Sequence, residues 1–215
     1  MTQQFMASYG FPIPLLFLII AICIEFTGIL SLISGYQIKN VSQILLCFVF
    51  ATTFIFHTNL PDETQRFMFF KNIAIMGGLL LLAIQGTGII KKEEMSKLER
   101  RGYLLARIAI AALFLVAGIG KIFGFEATQE MLLEFTIPQT GLVLIMTIVV
   151  EITGSILIIR GYKTRYAALL LIIYLIPVTL ILHTNLGDVV QKIMFFKNVA
   201  VMGCLGLLAI YEGEQ

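Results

Sequence analysis

Two stretches of this sequence set histidine, amide, carboxylate and lysine side chains where one long apolar run ends and the next begins. Residues 57–84 read HTNLPDETQRFMFFKNIAIMGGLLLLAI, and residues 183–210 read HTNLGDVVQKIMFFKNVAVMGCLGLLAI. At an unbroken offset of 126, His57, Asn59, Asp62, Gln65, Lys71 and Asn72 recur as His183, Asn185, Asp188, Gln191, Lys197 and Asn198. Polar groups at the edge of hydrocarbon are costly unless paired. Imidazole titrates near neutral pH, so each histidine could pass protons or bond a quinone carbonyl. Equally, each could close a helix C-terminus while Asn59 or Asn185 caps the turn. The Lys-Asn pairs read either as a snorkelling lysine beside a helix cap, or as part of a site onto which Asp62/Asp188 and Gln65/Gln191 fold back.

Two carboxyl groups, Glu25 and Glu151, lie near the middle of apolar runs at the same offset. Such a group is usually turned inward, either as a proton carrier or partner of a buried cation, or as a protonated acid bonded between helices. Lys121 has no counterpart in the first half. It follows Arg107 by 14 residues, about four helical turns, so both point to one face. Facing a bundle interior, Lys121 pairs with Glu151 or Asp188; facing outward, it snorkels. The sharp expectation is a polar pocket made by Lys121, Glu151, His183, Asn185, Asp188, Gln191, Lys197 and Asn198, suited to a small anion or a quinone head group. Its first-repeat equivalents are Glu25, His57, Asn59, Asp62, Gln65, Lys71 and Asn72. No metal site is expected: there is one histidine per repeat, and Cys23, Cys47 and Cys204 form no CxxC pair. No haem, flavin, iron–sulfur or nucleotide motif is evident, so quinone is the one cofactor the residues invite.

The elements that position these residues are membrane helices. Of 215 residues, 59% are hydrophobic and 13% charged, with mean hydropathy +0.95, whereas a soluble domain is about 25% charged. The net charge of +2 and the lack of a basic, aromatic-laced stripe exclude a nucleic-acid partner. Apolar runs of bilayer length predict helices over 12–35, 41–56, 71–90, 103–123, 141–159, 166–182 and 197–211. The second is short for a full span, and 57–70 is expected along the membrane interface. Residues 126–137 read as an amphipathic surface helix. The start lacks the basic residues of a secretory signal, so the first run is read as a retained helix.

Residues 1–89 align with 127–215 without a gap, and 35 of the 89 positions are identical. Met1 aligns with Ala127, so the first repeat has no counterpart of helix 103–123, and whether Met1 is the true start stays open. The expected organisation is a three-helix unit at 1–90, a charged linker at 91–102 and a four-helix unit at 103–215, a parallel tandem duplication. On one side, Lys39, Lys91, Lys92, Lys97, Arg100, Arg101, Arg107, Arg160, Lys163 and Arg165 make ten basic residues. On the other, Arg66, Lys71, Lys121, Lys192 and Lys197 make five. The richer side is expected in the cytoplasm, with the N-terminus outside, the C-terminus inside and both histidine stretches outward.

In the second half, RRGYLLARIAIAALFLVAGIGKIFGFE, the amphipathic stretch, Glu151 with Gly154, His183 at the end of a helix and FFKN at the start of the next follow in order. This ordered set resembles the DoxX/DoxD-like membrane proteins. The resemblance implies an all-α, four-helix membrane bundle in the second half and a related unit lacking its first helix in the first. That family takes its name from a subunit of a thiosulfate:quinone oxidoreductase.

Three functions are open at this stage. One is a membrane subunit of a quinone-linked redox system acting on a small sulfur anion at the outer face, an enzyme only if its redox centre is borrowed or is quinone itself. The second is a non-enzymatic assembly partner for another membrane or periplasmic enzyme. The third is a small-solute transporter. Partners expected are the bilayer and a membrane or periplasmic protein or a second copy of the chain. The expected location is the inner membrane.

Overall fold

The computed structural model describes residues 2–91 and 93–213. Met1, considered above as a start, and Lys92 of the basic count lie outside the described residues. Among the described residues the chain is all-helical: α1 Thr2–Ser8, α2 Pro14–Ser34, α3 Ile38–Phe56, α4 Glu63–Gln85, α5 Lys97–Phe123, α6 Phe125–Glu134, α7 Thr140–Arg160, α8 Thr164–Leu182 and α9 Val189–Gly213. Seven of them, all but α1 and α6, are long and apolar enough to cross a membrane. Large apolar side chains such as Phe26, Ile173 and Phe123 cover the outside of the bundle, as a lipid-facing surface requires.

The helix ends differ from the sequence expectations for local reasons. The helices expected from 71 and 197 begin at Glu63 and Val189. Asp62 accepts the Gln65 N–H at 2.7 Å, and Asp188 accepts the Gln191 N–H at 2.8 Å. An aspartate that satisfies an orphan amide starts a helix where composition alone shows only a polar loop. The aromatic residues of MFFKN therefore lie within the long helices α4 and α9. Helix α5 starts at Lys97, inside the expected linker, because Ser96 and Glu99 form a reciprocal cap, with Glu99 N–H to Ser96 Oγ at 3.2 Å and Ser96 N–H to Glu99 Oε2 at 2.8 Å. Helix α3 has 19 residues, which at 1.5 Å each reach about the thickness of the hydrocarbon layer, so the expected short span is a full one.

At the offset of 126, α2, α3 and α4 correspond to α7, α8 and α9, and α1 falls within the counterpart of α6. Packing follows the same correspondence. A Cβ on Gly28 would lie 2.7 Å from Leu45 of α3, and one on Gly154 would lie 3.0 Å from Leu171 of α8. In the second half α5 packs on α7, α7 on α8, and α8 on α9. The halves join through α4, which lies against both α9 and α5. Gly78 of α4 meets Cys204 of α9, and these two residues occupy equivalent positions in the two repeats. Equivalent positions of the two halves therefore meet here, at the axis between them. Around it Leu81, Ala106, Ile110, Leu171, Leu205 and Leu208 are fully buried.

Equivalent glycines meet different surroundings. A Cβ on Gly77 would lie 2.7 Å from the Ala106 carbonyl oxygen and 2.8 Å from Ile110, whereas Gly203 has nothing within 4 Å. Gly77→Ala should therefore destabilise the protein by about 1–3 kcal/mol, the usual cost of overpacking. Gly203→Ala should be neutral or slightly stabilising. Thermal melting of the two variants in one detergent provides the comparison, and equal losses would contradict the packing.

Candidate functional site

The polar residues of the second half gather in two places rather than one pocket. The first is the interior of the four-helix bundle. Helix α5 carries Lys121 in its last turn, α7 carries Glu151 near its middle, and α8 carries Tyr174. Lys121 Nζ donates to both Glu151 oxygens at 2.8 Å, and the Tyr174 hydroxyl donates to Glu151 Oε1 at 2.6 Å. Glu151 is 3% exposed. A carboxylate this buried persists only when its charge and lone pairs are met from within the protein, and here they are. Arg107 also reaches α7, donating to the Ile159 carbonyl at 3.1 Å and pairing with Glu212 at 3.5 Å near the opposite membrane face.

The second place is the axis between the repeats, where α4 faces α9. Asn72 Nδ2 donates to Thr53 Oγ1 at 2.9 Å, and Asn198 Nδ2 donates to Thr179 Oγ1 at 3.0 Å, the same bond in each repeat. Lys197 Nζ donates to Asn72 Oδ1, across the axis. Lys71 Nζ crosses in the other direction to Met194 Sδ at 3.1 Å, a weak acceptor. Lys71 is buried and Lys197 half-buried, and no carboxylate pairs with either among the described residues. Two lysines from opposite repeats thus share one buried region with no carboxylate beside them among the described residues.

The histidines flank this region. His57 Nδ1 lies 2.8 Å from Gln65 Oε1, and His183 Nδ1 lies 2.7 Å from Gln191 Oε1. An amide oxygen only accepts, so Nδ1 carries the proton and Nε2 keeps a free lone pair in the neutral ring. Burial lowers the pKa of both rings below 6.5. The bond to Gln65 partly offsets this for His57, and that to Gln191 does so for His183. The Lys197 ammonium depresses His57 further, and Lys71 depresses His183. Each histidine therefore senses the lysine of the other repeat.

Of the eight residues expected in one pocket, Lys121 and Glu151 form the bundle pair, while Lys197 and Asn198 lie at the axis beside Lys71 and Asn72. His183 and Gln191 lock the turn before α9, as His57 and Gln65 do before α4; both histidine side chains bond these glutamines, and His183 also bonds the backbone of Leu182, the last residue of α8. Asp62 and Asp188 are exposed helix caps, and Asn59 and Asn185 are exposed at the turns. Glu25 joins no site: it is exposed, and Phe48 stands where the second repeat has Tyr174. Sequence reasoning missed Thr53, Thr179, Met194 and Tyr174. The two threonines recur at the offset of 126 and could have been found that way; Tyr174 leaves no repeated signal.

The family model for DoxX matches residues 1–58 and 102–184 of this chain. The chain belongs to the DoxX family. It is 37% identical to the inner membrane protein YqjF of Escherichia coli K12 over 116 residues, 54% of this chain and 88% of that protein. It is also 37% identical to the inner membrane protein YphA of the same organism over 112 residues, 50% of this chain and 80% of that one. No solved structure matches. Seven apolar spans and these relatives make this DoxX protein a multi-pass inner-membrane protein.

Lys121→Met leaves Glu151 buried without its cation and should cost about 3 kcal/mol, most of it recovered in Lys121→Met/Glu151→Gln. Thermal unfolding of the single and double variants reads this, and equal losses in both would refute the pairing. The histidines give a pH dependence. The unfolded rings take up protons near 6.5, and the folded ones only at lower pH. Their contribution is therefore present above pH 6.5 and lost as pH falls through the folded values. A melting series from pH 7.5 to 5 should fall on the acid side, and His57→Gln/His183→Gln should flatten that fall.

Proposed function

We propose that this DoxX protein is the membrane subunit of a quinone-linked redox system, and that it holds a quinone head group or a small sulfur oxyanion between its two repeats. One observation supports the reading above others: Lys71 and Lys197 converge from opposite repeats without a carboxylate partner among the described residues. A buried cation in a low-dielectric region is costly, and two together cost more; an anion or a carbonyl dipole would offset that cost. The donors fit such a group. The ammonium protons suit an oxyanion or a quinone oxygen, and the Asn72 and Asn198 amides hold the walls through Thr53 and Thr179. His57 and His183, neutral at pH 7 with Nε2 able to accept, are suited to exchanging protons at the site's edge. When bound, quinone would supply two-electron, two-proton redox chemistry, with the electrons drawn from a reductant on another subunit or from the anion itself.

In this reading the face carrying the histidines is the outer one. The basic residues in the first turns of α5, Lys39 at the start of α3 and Arg160, Lys163 and Arg165 around the turn between α7 and α8 then lie in the cytoplasm, as the positive-inside rule favours. The Lys121–Glu151–Tyr174 cluster acts as the brace that fixes α7 and α8, and through them α9 and its lysine.

The test is organic extraction of gently purified protein followed by chromatography for isoprenoid quinone. Near-stoichiometric quinone is expected in the parent, and its loss in Lys71→Met/Lys197→Met. Because that variant also removes two unbalanced cations, its melting temperature should be unchanged or higher, which separates loss of a ligand from loss of fold. Quinone that survives the double substitution, or is absent from parent and variant alike while sulfite and thiosulfate leave both melting curves unmoved, would overturn the proposal.

A further inference from the structure

The two repeats are not equally covered. Helix α5 fills a slot with two walls. One wall is α7, where a Cβ on Gly118 would lie 2.8 Å from Ile152 and 3.3 Å from Glu151 Cβ. The other is α4, where Ala74 is fully buried and Gly77 lies against Ala106 and Ile110. At the offset of 126, α7 maps back onto α2 and α4 maps forward onto α9, so the equivalent slot lies between α2 and α9. Among the described residues these two helices make no contact with each other.

Both walls of that second slot are bare. Glu25 stands for Glu151 and is exposed, with no hydrogen-bond or ion-pair partner among the described residues. Phe26 stands for Ile152 and is 61% exposed. On α9, Ala200 and Gly203 stand for Ala74 and Gly77; both are exposed, and Gly203 has nothing within 4 Å. A carboxyl group facing lipid midway along a helix is unfavourable, and small residues in a row admit a close helix backbone. Because Phe48 offers Glu25 no hydroxyl, a hydrogen-bond or ionic partner for it would come from whatever enters the slot.

We infer that a membrane-spanning helix of a partner polypeptide, carrying a lysine or arginine near its outer end, docks between α2 and α9 and pairs its cation with Glu25. A second copy of this chain is the weaker occupant. Its cations sunk among the helices, Lys71, Arg107, Lys121 and Lys197, are already engaged within their own chain. The inference does not rest on the quinone reading, and it uses none of the axis residues.

The test uses α5 itself as the probe. A fluorescent synthetic peptide of residues 97–126 is added to the full-length, acceptor-labelled protein in phosphatidylethanolamine–phosphatidylglycerol vesicles, and association is read by energy transfer. The peptide should bind with 1:1 stoichiometry. Glu25→Gln in the protein or Lys121→Met in the peptide should weaken binding about fivefold or more. Gly203→Leu, which fills the slot, should abolish it. Glu25→Lys with a Lys121→Glu peptide should restore it. Binding no better than that of a scrambled peptide, or binding indifferent to Glu25→Gln and Gly203→Leu, would overturn the inference. So would self-association of the unprobed protein that both substitutions abolish, since a second copy would then own the slot. Quinone content measured in the same variants should not change, so failure here and failure of the axis site can be told apart.

Discussion

A polar side chain within the hydrocarbon layer has no water to fall back on, so its partner must come from protein or from a ligand. That constraint orders this structure. Where it is met twice over, at Glu151 with Lys121 and Tyr174, the bundle is closed and structural. Where it is met by neutral pairs, Asn72 with Thr53 and Asn198 with Thr179, the helices are held in register without charge. Where it is met only weakly, at Lys71 on a thioether and Lys197 on an amide, the arrangement invites a further guest. Where no partner among the described residues meets it, at Glu25, the acid faces an open slot between α2 and α9.

The duplication turns these local facts into an architecture. Helices α4 and α9 are the same element used twice, and they meet at Gly78 and Cys204. Gly78 leaves room for Cys204, so the two helix backbones come close there. This close approach brings the lysines of the two halves into one region and lets each histidine feel the opposite lysine. The histidine–glutamine locks hold the turns on either side of it.

Much of the fold was legible in the sequence because bilayer length and apolar content leave few alternatives: the seven spans, their order and the repeat all follow from reading the chain. The starts of α4, α5 and α9 were not, because a capping aspartate or serine extends a helix into residues whose composition reads as loop. Within the site, the Lys121–Glu151 pair was foreseeable, since two opposite charges in an apolar setting seek each other. The crossing of Lys71 and Lys197 between repeats was not. It depends on which faces of α4 and α9 meet, and an alignment of one repeat on the other carries no record of that. Tyr174 stayed hidden for the opposite reason: its role rests on one hydroxyl that the aligned Phe48 lacks.

The order of the charges along the chain also bears on how the protein is made. Lys121 precedes Glu151, so the cation is already in the membrane when the acid of α7 emerges from the ribosome, and the bundle pair can form as synthesis proceeds. Within these 215 residues no lysine or arginine precedes Glu25. Helix α2 therefore precedes Lys39, Lys121 and every other lysine and arginine of these residues. Of the two equivalent acids, Glu151 is thus the one whose partner is already made when its own helix follows.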